Sequence, residues 1–139
     1  MEIHLRRIDD AYLMESVNEN GNIVHTDGSS EIGGGNQAFR PMQLMLAGLG
    51  SCSAIDIIHL LRKQRQPLDD IRIKVEGERE KDKIPSLFTD IHVHYTLVGD
   101  LDVKNVERAI TLSMDKLCSV AQILKKTANI TWSYEIIKE

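Results

Sequence analysis

Apolar residues recur along this chain at two spacings, every second position in some stretches and every third or fourth in others. The changes from one spacing to the other divide it into elements. Ile3 and Leu5 share one face of residues 2–8. Residues 11–17 predict a second strand, with Tyr12, Met14 and Ser16 opposed to Leu13, Glu15 and Val17. Residues 18–21 end in an Asn-Gly pair, a strong hairpin signal, and residues 22–26 return as a third strand before Asp27 and Gly28. An antiparallel meander is expected here. Three glycines, Gly33 to Gly35, then lead to Asn36 as a loop, read either as a mobile connector or as a cradle for an anion. Their spacing fits neither the P-loop nor the dinucleotide fingerprint.

The pattern changes at Pro41. From Pro41 through Ile55 there is no charged residue; Asp56 is the first, and Arg62, Lys63 and Arg65 make the end basic. Proline suits the first helical position, and cations suit the negative pole of a helix dipole. A helix apolar on nearly every face must be buried on nearly every face. The uncharged run is shorter than the ~20 apolar residues of a bilayer span and contains Gln43, Gly48, Gly50 and two serines. A soluble core helix is expected, not a membrane segment, and residues 1–20 hold no hydrophobic stretch of the signal-peptide kind.

Beyond the helix, Ile71, Ile73 and Val75 alternate with Arg72, Lys74 and Glu76 in a half-buried strand running towards Glu80. A polar loop covers 81–86, and Ile91, Val93, Tyr95 and Leu97 alternate with His92, His94 and Thr96 in the next strand. Asp102 is placed to cap a helix whose apolar positions are Val103, Val106, Ile110, Met114 and Leu117. Cys118 follows, then a shorter helix over 119–126 and a closing strand over 130–137. Strands and helices come in blocks, which points to an α+β fold with a largely antiparallel sheet. The length of 139 residues fits a single domain, 1–139.

Composition narrows the function. A net charge of −4 and a pI near 5.7 argue against nucleic acid as a partner, and 4% aromatic residues leave few stacking platforms. Two cysteines without an export signal suggest a reducing, cytoplasmic setting, where thiols are buried, metal-bound or reactive.

Those cysteines are the sharpest chemical signal. Cys118 stands where a helix begins, and backbone N–H groups there favour a thiolate. Cys52, in mid-helix, has no such help. The residues alone leave two readings open, inert core thiols or a redox pair. Cys52, Asp56 and His59 have the composition of a nucleophile, a base and an orienting group. Cys52 and His59 are nevertheless about 10 Å apart along a helix, beyond a direct hydrogen bond. His92 and His94 share a strand face without a third ligand and read as a solvated surface. Neither a metal nor a cofactor is expected.

At Arg40–Ser53, RPMQLMLAGLGSCS, and at Asp100–Ile123, DLDVKNVERAITLSMDKLCSVAQI, the chain resembles the OsmC/Ohr family, the osmotically inducible and organic hydroperoxide resistance proteins. The first stretch is similar to the family's Pro-x-x-Leu-(apolar)-x-Ala-x-x-x-Cys helix, the second to its helix running into a second cysteine. The resemblance covers essentially the whole chain. It implies an OsmC-like fold, an intertwined homodimer with sheets wrapped around long central helices. It also implies a thiol-dependent peroxidase in which Cys52 attacks an organic hydroperoxide and Cys118 resolves the sulfenic acid to a disulfide. A dithiol reductant, a lipoylated protein in the family, then restores both thiols.

The chain departs from that pattern at two places. Met42 stands where the family's peroxidases carry a glutamate after the helix-opening proline. Their activating arginine, aligned through the N-terminal hairpin, falls on Glu19 or Asn20 here. Arg40 is the nearest replacement. Met42, Met45, Leu46 and Leu49 are expected to line the substrate site, and methionines adapt to varied ligand shapes. The alternative is an OsmC-like protein that binds a hydrophobic small molecule without turnover and keeps its cysteines as core residues.

Overall fold

The computed structural model describes residues 1–139, which form two compact units, Met1–Met45 and Leu46–Glu139. In the first, β1 (Ile3–Arg7), β2 (Met14–Asn18) and β3 (Ile23–Thr26) form an antiparallel meander, as the alternation predicts. The turn between β2 and β3 is built by Asn18. Its side-chain oxygen accepts the N–H groups of Asn20 and Asn22 at 3.0 and 2.9 Å, while Gly21 takes the positive φ of 81°. Glutamate 19 at this turn accepts the backbone N–H of Glu2 at 2.7 Å.

The glycine loop is a built structure. Asp27, 2% exposed, accepts the N–H of Gly28 at 2.8 Å and that of Gln37 at 3.0 Å. A side chain at Gly34 would collide with the Gly28 carbonyl. Backbone crowding therefore demands glycine here, and the anion inside the loop is the protein's own carboxylate.

The long helix α1 (Pro41–Lys63) is unbroken. By length and composition it would pass for a bilayer span, but Leu49, Ser53, Ala54, Ile57 and Leu61 are buried. It is a core helix.

In the second unit β4 (Leu68–Arg79) pairs antiparallel with β5 (Phe88–Gly99), and β5 pairs parallel with β6 (Asn129–Ile137). The sheet is thus mixed, because two helices intervene between β5 and β6 and return the chain in the same direction. Ile91, Val93, Tyr95 and Leu97 of β5 are buried on one face, following the alternation in the sequence. Helix α2 (Val103–Leu112) opens on Asp102, whose carboxylate accepts the Asn105 N–H at 3.1 Å. Val106, Ala109 and Ile110 form its buried stripe.

One expectation needs correction. The helix predicted to reach Leu117 ends at Leu112 and gives way to a π-helical turn, Ser113–Leu117, in which Leu117 is 50% exposed. Helix α3 (Ser119–Leu124) follows directly.

Removing buried methylenes from a close-packed core costs transfer and cavity free energy together. Ile57→Ala is therefore expected to lower stability by about 2–5 kcal/mol. Asp102→Ala, which removes only the cap, is expected to cost about 1 kcal/mol. Urea unfolding of both variants checks the order, which would be reversed if α2 relied on its cap more than the core relies on Ile57.

Candidate functional site

The site lies in the second unit, where α1 meets the break between α2 and α3. Cys52 and Asp56, one turn apart on α1, are half-buried. Gly50 just ahead of them is where α1 approaches β4 closely: a Cβ there would lie 3.1 Å from Val75. The glycine serves packing there, and α1 stays helical through it.

Cys118 arrives by way of the π turn. Its N–H donates to the Ser113 carbonyl at 2.8 Å, five residues back. Such a turn inserts one residue into the helical ladder and often marks functional positions. The chain then leaves the helical region at Cys118, φ −73° and ψ 106°, which becomes the N-cap of α3. Its Sγ accepts the Ala121 N–H at 3.3 Å. The outcome is that Cys52 Sγ, Cys118 Sγ and a carboxylate oxygen of Asp56 all lie within 4.8 Å of one another. Both cysteines are free thiols.

Around them runs a buried polar chain. Ser113 Oγ donates to Asp56 Oδ2 at 2.9 Å. Tyr95 OH donates to Ser53 Oγ at 2.7 Å, and Ser53 Oγ in turn to the Gly50 carbonyl at 3.2 Å. Ser53 and Ser113 are fully buried, so each needs such partners. Burial pushes the Tyr95 phenol up to about 12, and negative charge at Cys118 and Asp56 adds to the shift.

The sequence places Cys118 correctly at a helix start, but its expected thiolate is not favoured. Cys118 is 0% exposed. Burial pushes its thiol up to about 11; the Ala121 N–H opposes this, and the neighbouring Cys52 reinforces it. Loss of solvation outweighs the backbone N–H groups of Ala121 and Val120 at the start of a helix of six residues. Cys118 is held as a neutral thiol.

The other candidates fall elsewhere. His59 is exposed and takes no part. Leu49 is buried and Leu46 half-buried, its side chain against Gly77 of β4. Arg40, Met42 and Met45 belong to the first unit; the Arg40 guanidinium bonds Asn36 Oδ1 at 3.3 Å. His92 and His94 join a ladder along β5 and β6. His92 contacts Thr131 at 2.7 Å and Ser133 at 2.8 Å, and His94 contacts Ser133 at 2.7 Å. They act as strand-to-strand links. Sequence reasoning named Asp56 beside Cys52 but grouped it with His59, and it missed Ser113. The four-residue spacing of Cys52 and Asp56 was the signal for the carboxylate; nothing local announces the π turn that delivers Ser113.

Comparison with known proteins gives a consistent result. The family profile described as OsmC-like protein matches residues 33–133. Protein YhfA of Escherichia coli (strain K12) is 42% identical over 118 residues, 84% of each chain. The crystal structure of a hypothetical protein from Aquifex aeolicus VF5 is 33% identical and superposes with a TM-score of 0.85, covering 99% of this chain and 96% of its own. That of an organic hydroperoxide resistance protein OsmC from Legionella pneumophila covers 97% of both chains with a TM-score of 0.73 at 17% identity. At that identity the shared property is the fold.

The burial of Cys118 has a measurable consequence. Its pKa rises from 9.0 to about 11 on folding, so the native state holds this proton more tightly than the unfolded chain. Stability from this group is intact below pH 9 and is lost as pH rises towards 11. Chemical denaturation over that range is expected to show a decline that Cys118→Ala flattens. An equal decline in wild type and variant would contradict the assignment.

Proposed function

The chain belongs to the OsmC-like protein family, and from that membership and its paired thiols we propose a thiol-dependent peroxidase that reduces organic hydroperoxides through Cys52 and Cys118. The observation that carries this reading is the approach of the two sulfurs to within 4.8 Å, with different exposure for each. Cys52 is half-buried and Cys118 is fully buried. The Cys52 thiolate attacks the distal oxygen of ROOH, the O–O bond breaks, and RO⁻ takes a proton to leave as the alcohol. The Cys52 sulfenic acid then condenses with the Cys118 thiol, forming the S–S bond and releasing water. A dithiol such as a lipoylated protein reduces the disulfide by exchange, and the reducing cytoplasm is the compartment this cycle requires.

Substrate preference follows from apolar surface. Leu46 and Leu49 stand within two turns of Cys52 on α1, and Met42 and Met45 extend the proposed alkyl contacts. For Arg40 we carry forward the role of thiolate stabiliser implied by the resemblance. The first unit leaves Ile3, Leu5, Ile23 and Val24 each about half exposed or more, and every residue of β1 is exposed. Apolar surface of this kind on a three-stranded sheet supports a homodimer in which a second copy covers it and the two units of each chain act as one domain.

A second reading, a binding protein for a hydrophobic small molecule without turnover, is favoured by one observation. Met42 stands where the family's peroxidases carry a glutamate, so the activating pair that the resemblance implies is incomplete. Stopped-flow mixing of the reduced protein with cumene hydroperoxide separates the two. The peroxidase reading expects oxidation faster than that of a free thiol, none in Cys52→Ser, and accumulated sulfenic acid in Cys118→Ser. Arg40→Ala is expected to slow the first step roughly tenfold, equivalent to about 1.4 kcal/mol of lost charge stabilisation. A wild type no faster than free cysteine would leave binding without turnover.

A further inference from the structure

We propose that in the reduced protein Cys52, Cys118 and Asp56 form a binding site for a thiophilic divalent cation of the zinc class. Two thiolates and a carboxylate are a donor set that such ions take. Tetrahedral zinc with bonds of about 2.3 Å to sulfur and about 2.1 Å to oxygen places its ligand atoms roughly 3.6–3.8 Å apart. The three atoms here already lie within 4.8 Å of one another, so side-chain adjustments of about an ångström close the site.

The surroundings are those of a ligand set. Cys52 and Asp56 come from one face of α1 and Cys118 from the start of α3, so the ion would bridge two elements. Ser113 Oγ donates to Asp56 Oδ2 at 2.9 Å and orients the carboxylate while leaving Oδ1 free. The Ala121 N–H donates to Cys118 Sγ at 3.3 Å. Hydrogen bonds from a second layer of this kind fix metal ligands and tune them. No lysine or arginine of the protomer pairs with Asp56, whose one hydrogen bond is to Ser113. Three converging donor groups without a cation partner are well arranged around a divalent ion.

Binding would release the two thiol protons. The fourth position would fall to water on the half-buried side of Cys52 and Asp56, making the ion exchangeable. Metal and disulfide exclude each other, because the S–S bond uses both sulfurs. The site does not depend on turnover of a hydroperoxide.

Anaerobic titration of the reduced full-length protein with Co²⁺, followed by displacement with Zn²⁺, tests this. The expected result is one ion per chain, with tetrahedral d–d bands and a sulfur-to-cobalt charge-transfer band that zinc abolishes. Cys52→Ser, Cys118→Ser and diamide-oxidised protein should show no charge-transfer band. The near-isosteric Asp56→Asn, checked for native circular dichroism, should bind at least tenfold more weakly, and Ser113→Ala roughly 10-fold more weakly. Absence of the charge-transfer band in wild type overturns the site. So does binding by Asp56→Asn or by the oxidised protein that equals wild type. Cumene hydroperoxide consumption by the metal-free protein, measured separately, reports on the peroxidase reading alone.

Discussion

Cys118 can meet Cys52 only because the chain leaving α2 spends one extra residue in a π turn before α3 begins. That turn hands the Cys118 N–H to Ser113, frees the cysteine to cap α3, and aims Ser113 Oγ at Asp56. α1 supplies the other half by staying helical through Gly48 and Gly50 and lying close against β4. The packing of α1 on one side and the π turn on the other therefore set the sulfur–sulfur approach together. A shift in either would leave two unrelated core thiols.

The two thiols stand in different surroundings, Cys52 half-buried and Cys118 fully buried. Burial makes Cys118 a poor thiolate, which suits a resolving role, since a resolving thiol acts on a sulfenic acid already beside it. Asp56 brings a carboxylate beside Cys52 with no lysine or arginine paired to it. Either positive charge outside this cluster offsets it, the role proposed for Arg40, or a cation occupies the cluster between redox events. Both views give Asp56 a purpose that a structural pair of cysteines would not need.

Much of this was legible in the residues. Period-two alternation and the turn signals between segments located all six strands, and the uncharged run after Pro41 located α1; in β5 burial follows that alternation, whereas every residue of β1 is exposed. The two cysteine motifs pointed to the family. What local pattern could not show depended on contacts distant in sequence. The parallel pairing of β5 with β6 follows from the intervening helices, and the π turn interrupts a stripe that reads as continuous helix through Leu117. The apparent thiolate site at Cys118 had the right backbone but the wrong solvent exposure. Gly33 to Gly35 read as a mobile connector or an anion cradle because the partner that organises them, Asp27, reaches forward ten residues to Gln37.

The central claim is that Cys52 and Cys118 act as one chemical unit, and intact-mass analysis after one equivalent of organic hydroperoxide tests it most directly. The account predicts a chain lighter by two hydrogens, with a non-reducing digest joining the Cys52 and Cys118 peptides of the same chain and a dithiol restoring the original mass. Over-oxidised Cys52 beside an untouched Cys118 thiol, or two free thiols after treatment, would contradict it.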